Sequence, residues 1–158
     1  MRSFDSADLL RVAGDLIGAP NPSDSHIARS ISTSYYAIFQ HFIFETSKML
    51  IGPDQAWLTR ARAHLQMSIS HADLVKRCKK LEYQKLDFPQ SIIDYANFIV
   101  ILQDERHHAD YARDKIFSKS DAERILSLAA TAITGFDQTV DRHKRAFIIW
   151  ANFERRNY

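Results

Sequence analysis

The chain has 158 residues, 46% of them hydrophobic and 25% charged, with four glycines and four prolines. That is the balance of one soluble globular domain, and it excludes collagen-like, low-complexity and multi-span membrane classes. The net charge is only +2 and is uneven: residues 142–158 hold five cations against Glu154, a local +4 that leaves −2 for the rest.

A single cysteine, Cys78, precludes an intramolecular disulfide and the usual cysteine-based zinc sites. No signal-peptide pattern opens the chain, because Asp5, Asp8 and Asp15 interrupt its apolar residues. The longest apolar run, Ala146 to Ala151, is too short to span a bilayer. A cytoplasmic protein without membrane contact is expected. Ten Phe and six Tyr suit a large core or an oligomer interface.

Strand alternation is absent and helical spacing dominates. Leu9, Leu10, Val12, Ala13, Leu16 and Ile17 form the apolar face of a first helix ending near Gly18, and Pro20 and Pro22 oppose its continuation. Ser23 or Asp24 caps a second helix to about Leu50, with Ile27, Ile31, Tyr35, Ile38 and Phe42 as its stripe. Arg29, Ser32, Thr33 and Tyr36 gather on a more polar flank. Gly52-Pro53 stops this helix, and Asp54 is a candidate cap for a third region reaching Leu81, with a break expected near Arg60–His64. The cluster Arg77, Lys79, Lys80 reads as a solvated helix end.

Residues Tyr83 to Pro89 form a connector to a fourth helix that ends at Ser118–Ser120. Its stripe Ile92, Ala96, Ile99, Gln103, Arg106, Asp110 begins as hydrocarbon and finishes as an ion pair one helical turn apart. If that face meets the core, a charged pair meets it too, and buried charges persist only when paired or used. Ser120-x-x-Glu123 reads as a capping box opening a fifth helix with Ala122, Ile125, Leu126, Ala129, Ile133, Phe136 and Val140 inward. Phe147 to Phe153 either extend this helix or form a short separate one. The expected fold is an all-α antiparallel bundle of about five helices, with residues 1–140 as the bundle and 141–158 as a basic, aromatic helical extension.

Two elements in these helices carry a family resemblance: H-I-A-R-S-I-S-T-S-Y-Y-A-I-F in the second and R-H-H-A-D-Y in the fourth. R-A-R-A-H lies between them, and A-x-x-I-x-x-x-A-x-x-A-x-x-x-F runs from Ala122 to Phe136. The chain from its first helix to about Phe136 resembles the HEPN superfamily (higher eukaryotes and prokaryotes nucleotide-binding), particularly its small prokaryotic single-domain members. The resemblance implies a helical bundle, homodimerisation and work on RNA or nucleotides. Many members are metal-independent endoribonucleases, or toxins paired with a nucleotidyltransferase-like antitoxin. It also places Arg29, Tyr36 and His64 as walls of one pocket, with Tyr111 in the Ala-Asp-Tyr element. The superfamily's best-known catalytic motif, an arginine followed after about four to six residues by a histidine, has no match here. Arg106 is followed at once by His107 and His108, and Arg60 lies too close to His64.

Two readings of Arg106 and Asp110 follow: a structural ion pair, or an arginine that binds phosphate while Asp110 positions it. His107 and His108 are candidates for proton transfer, but successive helical residues diverge by about 100° and only one can share a site with Arg106. Glu105-x-x-His108 matches half of a di-iron bundle motif, yet no second copy exists; neither metal nor cofactor is expected. In the tail, Arg142, Lys144, Arg145, Arg155 and Arg156 alternate with Phe147, Trp150, Phe153 and Tyr158. That mixture suits either phosphate contacts with base stacking or an arm packed on a partner subunit. The functional expectation is an RNA- or nucleotide-associated binding module, the partner of a nucleotidyltransferase-like protein in a toxin–antitoxin or defence system. The alternative is a metal-independent endoribonuclease with an unusual Arg/His site.

Overall fold

A computed structural model describes residues 5–52, 58–83, 86–112 and 114–154. Among these the chain forms α1 (Ser6–Ile17), α2 (Asp24–Ile51), α3 (Thr59–Ser68), α4 (His71–Tyr83), α5 (Gln90–Tyr111), α6 (Lys119–Asp137) and α7 (Asp141–Asn152), with no strand. An all-α bundle is as expected, but with seven helices rather than about five. The third region breaks at Ile69–Ser70, later than Arg60–His64, and α7 is separate from α6. No helix among the described residues is long and apolar enough to cross a membrane.

Helix ends follow local chemistry. The Asp5 carboxylate accepts from the Ala7 N–H to start α1, which closes at Gly18. Ser23 caps α2, accepting from His26 N–H. Gly52 ends α2 at φ +93°, a left-handed conformation that side chains disfavour. The candidate cap Asp54 lies outside the described residues.

The capping box of α6 is built by Ser118 and Asp121, two residues ahead of the expected Ser120 and Glu123. Phe117, just before the cap, is buried in the same core as Ala122. That pair occupies the hydrophobic-staple positions and fixes where the helix begins. α5 ends at Tyr111, so a loop precedes α6 where a longer helix was expected.

Helix α2 is the axis of the bundle, packing against α1, α3, α5, α6 and α7. Its 28 residues are buried on several sides, Ile31, Tyr35, Ile38 and Phe42 completely. Contacts to α5 pair Ser32 with Asp110, Tyr36 with Arg106, and His41 with Tyr95. Numbers that rise along α2 fall along α5, so the two helices are antiparallel. The Ser30 hydroxyl donates to the Ala13 carbonyl at 2.8 Å and ties α1 to α2.

Helix α7 closes the core. Phe147 and Ile148 are fully buried and Ala151 nearly so. Phe147 sits among Phe42, Phe88, Tyr95 and Phe136, with ring centroids 5.9–6.3 Å apart, the range of edge-to-face aromatic contacts. The apolar side of the tail, read from sequence as an arm for a partner, is thus used within the chain. Arg77 of α4, expected as solvated, donates to the Ala151 carbonyl at 2.8 Å and caps the end of α7.

Candidate functional site

The polar end of the α5 stripe faces inward. Ile92, Ala96 and Ile99 are buried, and two turns further the Arg106 and Asp110 side chains keep only 16% and 20% of their exposure. Arg106 Nε approaches Asp110 Oδ2 to 2.9 Å. The Nε–H does not point along that line, so the contact is an ion pair rather than an aligned hydrogen bond. Nη2 of the same guanidinium donates to the Tyr36 hydroxyl at 3.1 Å, and the Ser32 hydroxyl donates to Asp110 Oδ1 at 2.5 Å. Two α2 side chains therefore hold the two members of the α5 pair.

Three rings surround the guanidinium: its central carbon lies 5.4 Å from the Tyr36 centroid and 5.9 Å from those of Tyr35 and Tyr111. Such distances give cation–π attraction. Tyr35 is buried and Tyr36 partly so, whereas Tyr111 is 65% exposed. The His107 ring lies 5.1 Å from Tyr111 and is exposed, so this pair forms an open aromatic rim beside a shielded cation.

One member of the cluster is absent from the sequence reading. His71, the first residue of α4, takes Tyr35 Oη at 2.6 Å on its Nδ1 and stacks on Phe39 at 3.7 Å. Burial lowers its pKa, and the Arg106 cation lowers it further. Burial also raises the Tyr35 pKa, against the opposing pull of Arg106. A folded-state pKa held below that of the unfolded chain fixes the sign of the pH dependence. The unfolded state binds more protons below the ordinary histidine pKa of about 6.5, so stability is present above that pH and declines as pH falls towards the folded-state pKa. The urea midpoint is expected to drop between pH 7.5 and pH 5.5, and His71→Gln should flatten that slope.

The remaining candidates are dispersed. His64 is exposed on α3, and the Arg106 ion pair and hydrogen bond go to Asp110 and Tyr36 rather than to it; the histidine beside the expected pocket is His71. Arg29 is exposed on the same flank of α2 as Ser32 and Tyr36, without an ion-pair partner among the described residues. His108 Nδ1 lies 3.5 Å from Asp104 Oδ2, away from Arg106, as the divergence of successive residues requires. Of the tail cations, Lys144 is buried and paired with Asp141 at 3.0 Å, so it is committed within the chain. Arg142 and Arg145 are exposed, and Arg155 and Arg156 lie outside the described residues. Glu105, the other half of the weak metal motif, bridges Lys115 at 2.8 Å and Arg124 at 3.3 Å. Burial disfavours its charge, but those two cations outweigh it and hold its pKa below the usual range.

The arrangement can grip a planar, anionic group by stacking and hydrogen bonding. It does not gather several histidines about one phosphate position. No family model, curated protein or solved structure matches the chain.

Proposed function

We propose that this chain is an HEPN-like binding module for RNA or a nucleotide, acting in the cytoplasm as a homodimer. Its place is that of a partner to a nucleotidyltransferase-like protein in a toxin–antitoxin or defence system. The observation that carries the binding role is the set of Tyr35, Tyr36 and Tyr111 around Arg106, with the exposed Tyr111–His107 rim beside it. Exposed aromatics offer bases a stacking surface, and arginine offers phosphate a planar fork of donors. Exposed Arg29 on the same flank adds a second cation. Asp110 already balances the Arg106 charge at 2.9 Å, which favours holding a ligand over stabilising a phosphorane that needs uncompensated positive charge. The homodimer and the nucleotidyltransferase partner rest on the motif resemblance.

The alternative, a metal-independent endoribonuclease, draws support from His71. Its imidazole is held toward the neutral form next to a cation, as a general base requires. Incubation of the protein with mixed RNA in chelator separates the two readings. Intact RNA at high protein concentration is the expected result. Cleavage that disappears in folded Arg106→Ala would transfer the site to the nuclease reading.

A further inference from the structure

A second polar cluster lies on another side of α2. His41 and Glu45, one helical turn apart, retain 5% and 4% of their exposure. The last residue of α6, Asp137, meets them with a side chain 55% exposed. One ligand-capable atom from each of the three lies within 4.8 Å of the others. Tyr36 and His41 are five residues apart, which on a helix is about 7.5 Å of rise and roughly 140° of rotation, so this cluster is separate from the one around Arg106.

The hydrogen bonds set the imidazole's direction. The buried Tyr95 hydroxyl lies 2.8 Å from His41 Nδ1 and 3.3 Å from the Ile38 carbonyl. In the tautomer whose Nδ1–H donates to Tyr95, the other ring nitrogen is left to bind a metal, the arrangement that metal-bound histidines adopt. That tautomer aims the Nε2 lone pair at Asp137 Oδ1, 2.9 Å away, with the Glu45 carboxylate alongside. A lone pair facing two carboxylates is repulsive unless a cation lies among them. Buried Glu45 has Lys48 as its partner among the described residues, at 3.1 Å. The Lys48 side chain is itself 55% exposed and free to swing away.

We infer that His41, Glu45 and Asp137 form a binding site for a divalent transition-metal ion of the Zn²⁺ class, linking α2 to α6. One imidazole nitrogen and two carboxylate oxygens suit zinc, whose bonds to them are about 2.0–2.2 Å. Neighbouring ligand atoms around such an ion are about 3 Å apart, close to the His41–Asp137 separation. Half-exposed Asp137 forms the entry side and leaves a further position for water.

Chelator-treated protein titrated with zinc sulfate by calorimetry tests the site, with circular dichroism to verify folding. One zinc per chain is expected, and at a hundredfold excess over Kd the folded-to-unfolded ratio should rise about 100-fold. Asp137→Ala, a half-exposed change that spares the core, should weaken binding at least about tenfold. Glu45→Gln, which keeps the side-chain volume, should do the same. His26→Ala, a surface histidine remote in sequence, should leave the affinity unchanged. Absence of zinc uptake, or uptake indifferent to both Asp137→Ala and Glu45→Gln, would overturn the inference.

Discussion

Phe147→Ala is expected to destabilise the protein by about 3–5 kcal/mol, the range for deleting a fully buried phenyl group with little collapse around it. Phe147 has no exposed surface and touches aromatic rings from α2, α5 and α6 as well as Phe88 ahead of α5. The cavity would therefore open where four parts of the chain meet. For a domain of this size the loss corresponds to a fall in Tm of roughly 6–20 °C. Thermal unfolding at two protein concentrations gives the decisive reading. A core residue yields the same drop at both, whereas an arm packed on a partner subunit would yield a drop that grows as concentration rises through the range of the dimer Kd.

Asp110→Ala is expected to cost about 2–3 kcal/mol in urea denaturation. Breaking a fully buried ion pair costs about 3–5 kcal/mol because one charge is stranded. Here both side chains keep some exposure, so water screens part of the loss. The Ser32 hydroxyl also loses its acceptor. Replacing both charges, in Arg106→Met with Asp110→Leu, should cost less than the two single changes summed, since neither charge is then left alone. A change below about 0.5 kcal/mol for Asp110→Ala would mean that the pair carries no structural weight.

The parts of this architecture legible in the sequence are those encoded within one helix. Gly18, Ser23 and Gly52 mark their helix ends because capping is a matter of a few adjacent residues. The inward turn of Arg106 and Asp110 is likewise visible in their spacing and in the apolar positions that precede them. Ser120-x-x-Glu123 carries the local capping pattern, yet the cap falls on Ser118 and Asp121, where Phe117 is buried against the core. Ser32 and His71 enter the Arg106 cluster from other helices. Ser32 is 78 residues from its partner Asp110, and no local spacing reports such a meeting. His41 and Glu45 carry the one-turn spacing of a ligand pair, but Asp137 joins them only once α6 is packed. The tail reads as basic and aromatic in either setting; its fate depends on whether this core has room for Phe147, which is a property of the whole bundle.

The proposed binding role rests on an exposed ring beside a shielded arginine, and Tyr111 is the residue through which it is tested most directly. Fluorescence anisotropy of a labelled single-stranded RNA, in chelator and with gel analysis of its integrity, measures binding and cleavage together. The wild-type protein should bind saturably, lose affinity as salt is raised, and leave the RNA intact. Tyr111 is 65% exposed, so Tyr111→Ala should fold normally while weakening affinity by about 5- to 150-fold, the loss of one base-stacking platform worth about 1–3 kcal/mol. Equal affinity in wild type and Tyr111→Ala, or no binding by either, would contradict the account.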